Sequence, residues 1–437
     1  MSDVLDLAGI GAGPFNLAVA ALIREKSLAH RFFEAKVEFS WHPGLMLPGV
    51  MMQTSFLKDL VTPVDPTNPC SFLAYLVEKK RFYDFLHAEQ RTVSRREFAD
   101  YLSWAARRLD SVQMSSRVQS VLDRGAFFEL DVHGPHGRER VRARNLCVAA
   151  GKTPNIPQCC RPLLSDNCFH ALEIALRNPD VSDKRVAVVG GGQTGAEVVI
   201  NLLGGHWGCP RQVVWASRRS NYLPLDETPF TNDWFTPEYV DVFRQLSPRR
   251  REEIIADQKL ASDGISPATL TELYRLFYRL AHIEGDLGRV ALLPNRALVG
   301  LSCRGDYQLQ LENNLLGEAD GSEWLNADIV ILCTGLREAL PPCLAPLQER
   351  IPRDEAGHLL LDDAFAAKLI GDSSERRLYF LGTGRTSHGI AEPQLSLSAW
   401  RGALVVNDLL GSEVYDIRQS GNFMKWVTHR ATQVAVA

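Results

Sequence analysis

The chain has no Cys-x-x-Cys pair and no metal-ligand spacing; its nine cysteines are scattered and odd in number, and Cys159 and Cys160 are merely adjacent. This excludes a disulfide framework and a structural metal, and implies a reducing cytoplasm with free thiols, Cys147 and Cys333 lying in buried strands. An excess of one charge is missing too. Lys and Arg number 48 against 52 Asp and Glu, a net charge of -4, which argues against a nucleic-acid or anionic-membrane surface. The nearest thing to a long apolar run, residues 4–23, is interrupted by Asp6, Pro14 and Asn16, and Ser2-Asp3 supply no basic start. Neither a signal peptide nor a membrane span is expected from it. There is no low-complexity segment. What remains is 437 residues with 45% hydrophobic and 23% charged content, an ordinary globular composition with room for two or three domains.

Against that background, two glycine-rich turns stand out, Gly9-Ile10-Gly11-Ala12-Gly13-Pro14 and Gly190-Gly191-Gly192-Gln193-Thr194-Gly195. Each follows a short apolar run and opens a stretch with helical periodicity, the context that lifts a Gly-x-Gly match above chance. Two nucleotide sites mean two cofactors with electron transfer between them. In the first turn Gly9 allows the strand-to-helix reversal, Gly11 lets the backbone approach a pyrophosphate, and Pro14 fits a first helical turn. The helix start that follows Gly13 then faces the phosphates. The run 31–34 ends in Glu34, at the spacing of a ribose-binding carboxylate. The equivalent run 212–216 ends instead in Ser217-Arg218-Arg219, whose guanidinium groups suit a 2′-phosphate. The first cofactor is therefore expected to be FAD and the second NADPH.

The fold class expected is α/β, with two dinucleotide-binding Rossmann-like domains, one for FAD and one for NADPH, and a small helical substrate subdomain. The FAD-binding domain is expected over 1–180 and 338–437, and the NADPH-binding domain over 181–221 and 287–337. A helical insertion is expected over 222–286, with helices at 238–259 and 267–282. A helix is expected over 95–109 and a separate smaller sheet over 112–141. Buried strands ending in glycine turns are expected at 146–151 and 329–335, with a returning strand at 378–382.

Over essentially its whole length the chain resembles the microbial N-hydroxylating flavin monooxygenases of the lysine N6-hydroxylase and ornithine N5-hydroxylase family. The resemblance rests on the first turn with Phe15-Asn16-Leu17, on Gln53-Thr54-Ser55-Phe56-Leu57-Lys58-Asp59-Leu60, and on Pro66-Thr67-Asn68-Pro69. It rests also on the run from Gly190 to Glu197 and on His388-Gly389-Ile390-Ala391-Glu392-Pro393-Gln394-Leu395-Ser396-Leu397. The Phe-x-Gly-x-x-x-His signature of Baeyer-Villiger enzymes is absent, because His388 falls too far beyond Gly382.

The resemblance implies that NADPH reduces FAD, that the reduced flavin captures O2 as a C4a-hydroperoxide, and that a primary amine attacks its outer oxygen. That amine must be neutral, although a lysine-type ammonium has a reference pKa of about 10.4. A desolvated slot with no carboxylate beside the reacting nitrogen is therefore expected. By the same resemblance Gln53 lies beside the isoalloxazine, Lys58 pairs with the substrate carboxylate, Asn232 sits near nicotinamide and substrate, and Ser396 belongs to the flavin-side closing loop. Gln53, Asn232 and Ser396 form the expected catalytic set, while Trp41, His42, His388 and Leu397 shape the flavin pocket. The stretch Lys259-Leu260-Ala261-Ser262-Asp263-Gly264-Ile265 lacks the Thr-Asn-Tyr segment of ornithine hydroxylases and looks like the lysine branch. Asp263 would attract an ammonium at the far end of the substrate. L-lysine, cadaverine and putrescine all remain open as substrates, the product entering a hydroxamate siderophore; the alternatives are an ornithine hydroxylase or an uncoupled NADPH oxidase. A homo-oligomer is implied, as relatives are commonly oligomeric.

Overall fold

The apolar run before the first glycine turn forms the strand Leu5–Ile10, whose last four residues are buried. In the computed structural model, which describes residues 4–316, 322–418 and 423–427, that strand is central to an eight-stranded sheet. It pairs in parallel with His30–Phe33 on one side and Gly137–Val148 on the other. Leu378–Phe380 extends the sheet in parallel beyond Gly137–Val148. The helix Pro14–Ile23 begins with Pro14 in its first turn, where a missing N–H costs nothing, and is buried along nearly its whole length. It shares one core with the helices Arg95–Arg107 and Ser398–Leu410. Ser94 caps Arg95–Arg107 by accepting from Glu97 N at 3.1 Å.

The strands expected over 112–141 are present, but they belong to the main sheet rather than to a smaller one of their own. Gly137–Val148 is a single 12-residue strand. Its first half pairs antiparallel with Phe128–Gly134, and its second half pairs in parallel with Leu5–Ile10. Nothing between Arg138 and Val148 breaks it, there being neither proline nor glycine. The antiparallel ribbon is thus an outgrowth of the main sheet.

A second sheet of five parallel strands runs in the order Val290–Leu293, Gln212–Ala216, Arg185–Val189, Ile329–Leu332, Cys168–His170. Its last strand comes from before residue 181, ahead of the expected boundary. One face carries the helix Gln193–Leu203 together with Leu273 and Leu280 of the insertion; the other carries the sheet Arg296–Cys303, Tyr307–Asn313, Ser322–Ala327. In the insertion, the helix expected over 238–259 is broken into Pro237–Arg244, Pro248–Asp257 and Lys259–Asp263. Pro248 cannot continue a helix but can start one, and Ser247 caps it by accepting from Arg250 N. The next helix, Pro267–Tyr278, runs on into a π turn over Arg279–Ile283. Among the described residues no helix is long and apolar enough to cross a membrane.

Candidate active site

Both glycine turns open on one cleft of about 1430 Å3, at the carboxyl ends of the parallel strands of the two sheets, where open α/β sheets bind ligands. In the first turn Gly11 has φ +83, and a Cβ there would lie 2.7 Å from the Ala149 carbonyl oxygen. Only glycine permits that conformation and that approach. Gly9 packs under the Phe32 ring, and Gly13 is the extended residue that opens the helix. Glu34 accepts from Ala12 N at 2.9 Å and Lys36 N at 3.1 Å, so its carboxylate is fixed at the rim of the turn.

The second turn repeats the design. Gly190 has φ +129 against the Cys333 carbonyl, its own carbonyl accepts from Trp215 Nε1 at 2.9 Å, and Gly195 packs directly on it. Gly192 and Thr194 line the cleft beside Gln193. Ser217, Arg218 and Arg219 line it as well, but in different states. Ser217 Oγ accepts from Arg219 N, and the Arg219 guanidinium donates to the Asp263 carbonyl at 2.9 Å. Arg218 is exposed, with no ion pair among the described residues. Nine Lys and Arg side chains line the cleft against two acids, Glu34 and Asp263, a balance suited to pyrophosphates. The residues present fit two dinucleotides: glycine-cradled amides, a ribose-side carboxylate on one turn and a free guanidinium on the other.

Trp41, His42 and Gln53 also line this cleft. Trp41 packs against His42 and Phe98. Burial, helped by Arg95 and Lys36, pushes the His42 imidazole down to about 4, so it is neutral at physiological pH. Gln53 Nε2 donates to Ser266 Oγ at 3.2 Å. Asp263 has its carboxylate 3.8 Å from the Arg385 guanidinium, so this acid is already compensated.

Six expected site residues stand apart from the cleft lining: Gly9 and Gly195, which pack within their turns, and Lys58, Asn232, Ser396 and Leu397. Lys58 is half-buried with no carboxylate partner among the described residues, and burial lowers its pKa. Asn232 is exposed on the turn Thr231–Phe235. Ser396 and Leu397 are buried just before the helix Ser398–Leu410, and Ser396 Oγ has no hydrogen-bond partner among the described residues. His388 is buried, stacked on Phe365 at 4.0 Å, and held neutral by burial and nearby arginines.

Sequence reasoning missed Glu392. It is buried, accepts from Gly382 N at 2.6 Å and Gly384 N at 3.0 Å, and faces Arg401, which lies over the Phe15 ring. The lone acid in the 388–397 motif was the available signal. Among the described residues no group of three or more side chains is gathered that could hold a metal.

Two glycine-turn sheets, one mixed and one parallel, facing a shared cleft are the architecture of the flavin monooxygenases with two Rossmann-like domains. The chain matches the family model for L-lysine 6-monooxygenase/L-ornithine 5-monooxygenase over residues 3–338, and it belongs to that family. It is 40% identical to the L-lysine N6-monooxygenase of Escherichia coli over 98% of this chain and 99% of that protein. Its fold matches FAD-bound DfoA, the cadaverine monooxygenase of Erwinia amylovora, with TM-score 0.91 and 26% identity over 99% and 100% of the chains. It also matches the ornithine N-hydroxylase KtzI of Kutzneria sp. 744, solved with reduced FAD, NADP+ and L-ornithine, with TM-score 0.86 and 28% identity over 94% and 99%.

Proposed function

We propose that this chain uses FAD, NADPH and O2 to hydroxylate the terminal primary amine of L-lysine, with cadaverine and putrescine as the competing substrates. The observation that carries the reading is the charge inside the cleft. Its two acids are both engaged, Glu34 by backbone amides and Asp263 opposite Arg385. An entering amine therefore meets no free carboxylate to keep it protonated, and loss of water favours its neutral, nucleophilic form. Lys58, set apart from the cleft lining and without an acidic partner among the described residues, is the cation the family resemblance pairs with a substrate carboxylate. The 40% identity to a protein named for L-lysine supports the same choice.

FAD, when bound, supplies the redox centre that takes hydride from NADPH and activates O2. The chain's own residues bind, orient and exclude water. The first glycine turn and Glu34 would hold the flavin nucleotide, and the second turn with Arg218 and Arg219 would hold the phosphorylated nicotinamide nucleotide. Gln53, which lines the cleft, would lie beside the flavin ring, Ser396 would supply a hydroxyl on the closing-loop side, and Asn232 of the insertion would sit toward the amine. His42 and His388, both neutral, shape the pocket and transfer no proton. Catalysis is then mostly positioning and shelter. In this reading the first sheet is the FAD domain, the second the NADPH domain, and 222–286 the substrate-facing insertion. A cytoplasmic homo-oligomer belongs to the same proposal, the nine free cysteines supporting a reducing compartment. The product hydroxylamine serves hydroxamate siderophore assembly.

An iodine-oxidation hydroxylamine assay with NADPH over lysine, cadaverine, putrescine and ornithine tests this. Lysine should give most product. Preference for a diamine would move the substrate to the decarboxylated class, and product from ornithine alone would overturn the reading of the 259–265 segment.

A further inference from the structure

Two charged residues outside the proposed chemistry occupy places that local energetics disfavour. Glu197 is buried in the helix Gln193–Leu203 among Val198, Val199 and Leu202. Arg95 is the first residue of the helix Arg95–Arg107, where the helix dipole opposes a cation. They meet across the two halves of the molecule, Arg95 donating to both Glu197 oxygens at 3.2 and 3.3 Å, with side-chain exposures of 16% and 4%. Arg95 also donates to the Leu45 carbonyl at 3.1 Å, next to the His42 loop. A buried ion pair adds little stability over a well-packed apolar pair, and its best-attested use is to fix one arrangement.

The hydrogen bonds leading away from Glu197 show which arrangement is fixed. An ionised carboxylate only accepts, so Gln193 must present its amide nitrogen, and Nε2 donates to Glu197 at 2.9 Å. Gln193 Oε1 is thereby turned the other way, where it accepts from Ser266 N at 2.8 Å. Ser266 Oγ in turn accepts from Gln53 Nε2 at 3.2 Å. Gln53 Nε2 also lies 3.5 Å from Gln193 Oε1, to which it donates, so the charge on Glu197 fixes which amide atom of Gln193 faces Gln53, and Ser266 holds both side chains in place. Leu47 and Val50, in the loop leading to Gln53, pack into the core of the second half with Ile265 and Leu273.

We propose that Glu197, held by Arg95, is a positioning residue that orients Gln53 against the flavin through Gln193 and Ser266, so coupling the nicotinamide half to the flavin half. This rests on the reading of Gln53 as the residue beside the flavin ring. It is tested on FAD-loaded protein by anaerobic stopped-flow reduction with NADPH, a step that needs neither amine nor O2. Failure of the amine assignment would therefore appear only in the hydroxylamine assay.

Glu197→Gln should slow flavin reduction at saturating NADPH by about tenfold or more while NADP+ affinity, by fluorescence titration, stays within about threefold. The double variant Arg95→Met with Glu197→Met leaves no unpaired buried charge, and should fold with near-normal thermal stability yet remain slow. In flavin-free protein both variants should show faster hydrogen exchange over 45–53. Reduction at the wild-type rate would overturn the proposal, as would unchanged exchange over 45–53. So would NADP+ binding weakened as much as reduction, or a double variant that fails to fold, since either marks a role in stability alone.

Discussion

Arg218 and Arg219 are neighbours in sequence and unequal in the fold. Arg218 is free, whereas Arg219 is tied to the Asp263 carbonyl. A charge-assisted contact with a phosphate is worth about 1.5–3 kcal/mol. Arg218→Ala should therefore raise the KM for NADPH at least about tenfold and leave that for NADH nearly unchanged, as steady-state kinetics with both coenzymes would show. An equal rise for both would remove the 2′-phosphate assignment. Lys58→Met should weaken lysine binding while sparing cadaverine; equal loss for the two would place the carboxylate site elsewhere. Both residues were legible because each belongs to a local motif. The partners that decide their state were not. Arg385 faces Asp263, and Arg95 faces Glu197, across more than a hundred residues of chain, and such pairings exist only after folding.

At the scale of elements, turns and buried strands were the readable part. Gln212–Ala216 falls where expected because its valines and tryptophan form a short apolar run ending in charge. Boundaries that depend on long-range pairing were less readable: Gly137–Val148 changes partner along its length, and Cys168–His170 joins a sheet far from its sequence neighbours. Pro248 was visible, yet its effect of ending Pro237–Arg244 and opening Pro248–Asp257 follows only once Ser247 caps the latter. The first glycine turn gives a direct test at this scale. Gly11→Ala adds a methyl 2.7 Å from the Ala149 carbonyl at a φ of +83. The variant should purify without flavin colour while its far-UV circular dichroism is retained; normal flavin content would mean the turn tolerates a side chain.

For the whole molecule, buried neutral histidine predicts acid sensitivity well above the carboxylate range. The His42 pKa is about 4 in the fold against 6.5 when exposed, so the native state binds fewer protons than the unfolded one. Its contribution to stability is whole above pH 6.5 and is lost as pH falls from 6.5 towards 4. His42→Asn keeps a residue tolerant of the left-handed backbone found there, φ 46. Its Tm should fall less steeply than the wild-type Tm across that interval, and parallel curves would absolve His42. The imbalance of charge within the cleft reaches further still. Nine cations line the cleft of a chain whose formal sum is -4, and Arg95, Arg296 and Arg385 among them are paired with Glu197, Glu323 and Asp263, so the uncompensated positive charge gathers on the remaining six. An anionic coenzyme is therefore drawn toward the cleft by its cations, an attraction that weakens as ionic strength rises.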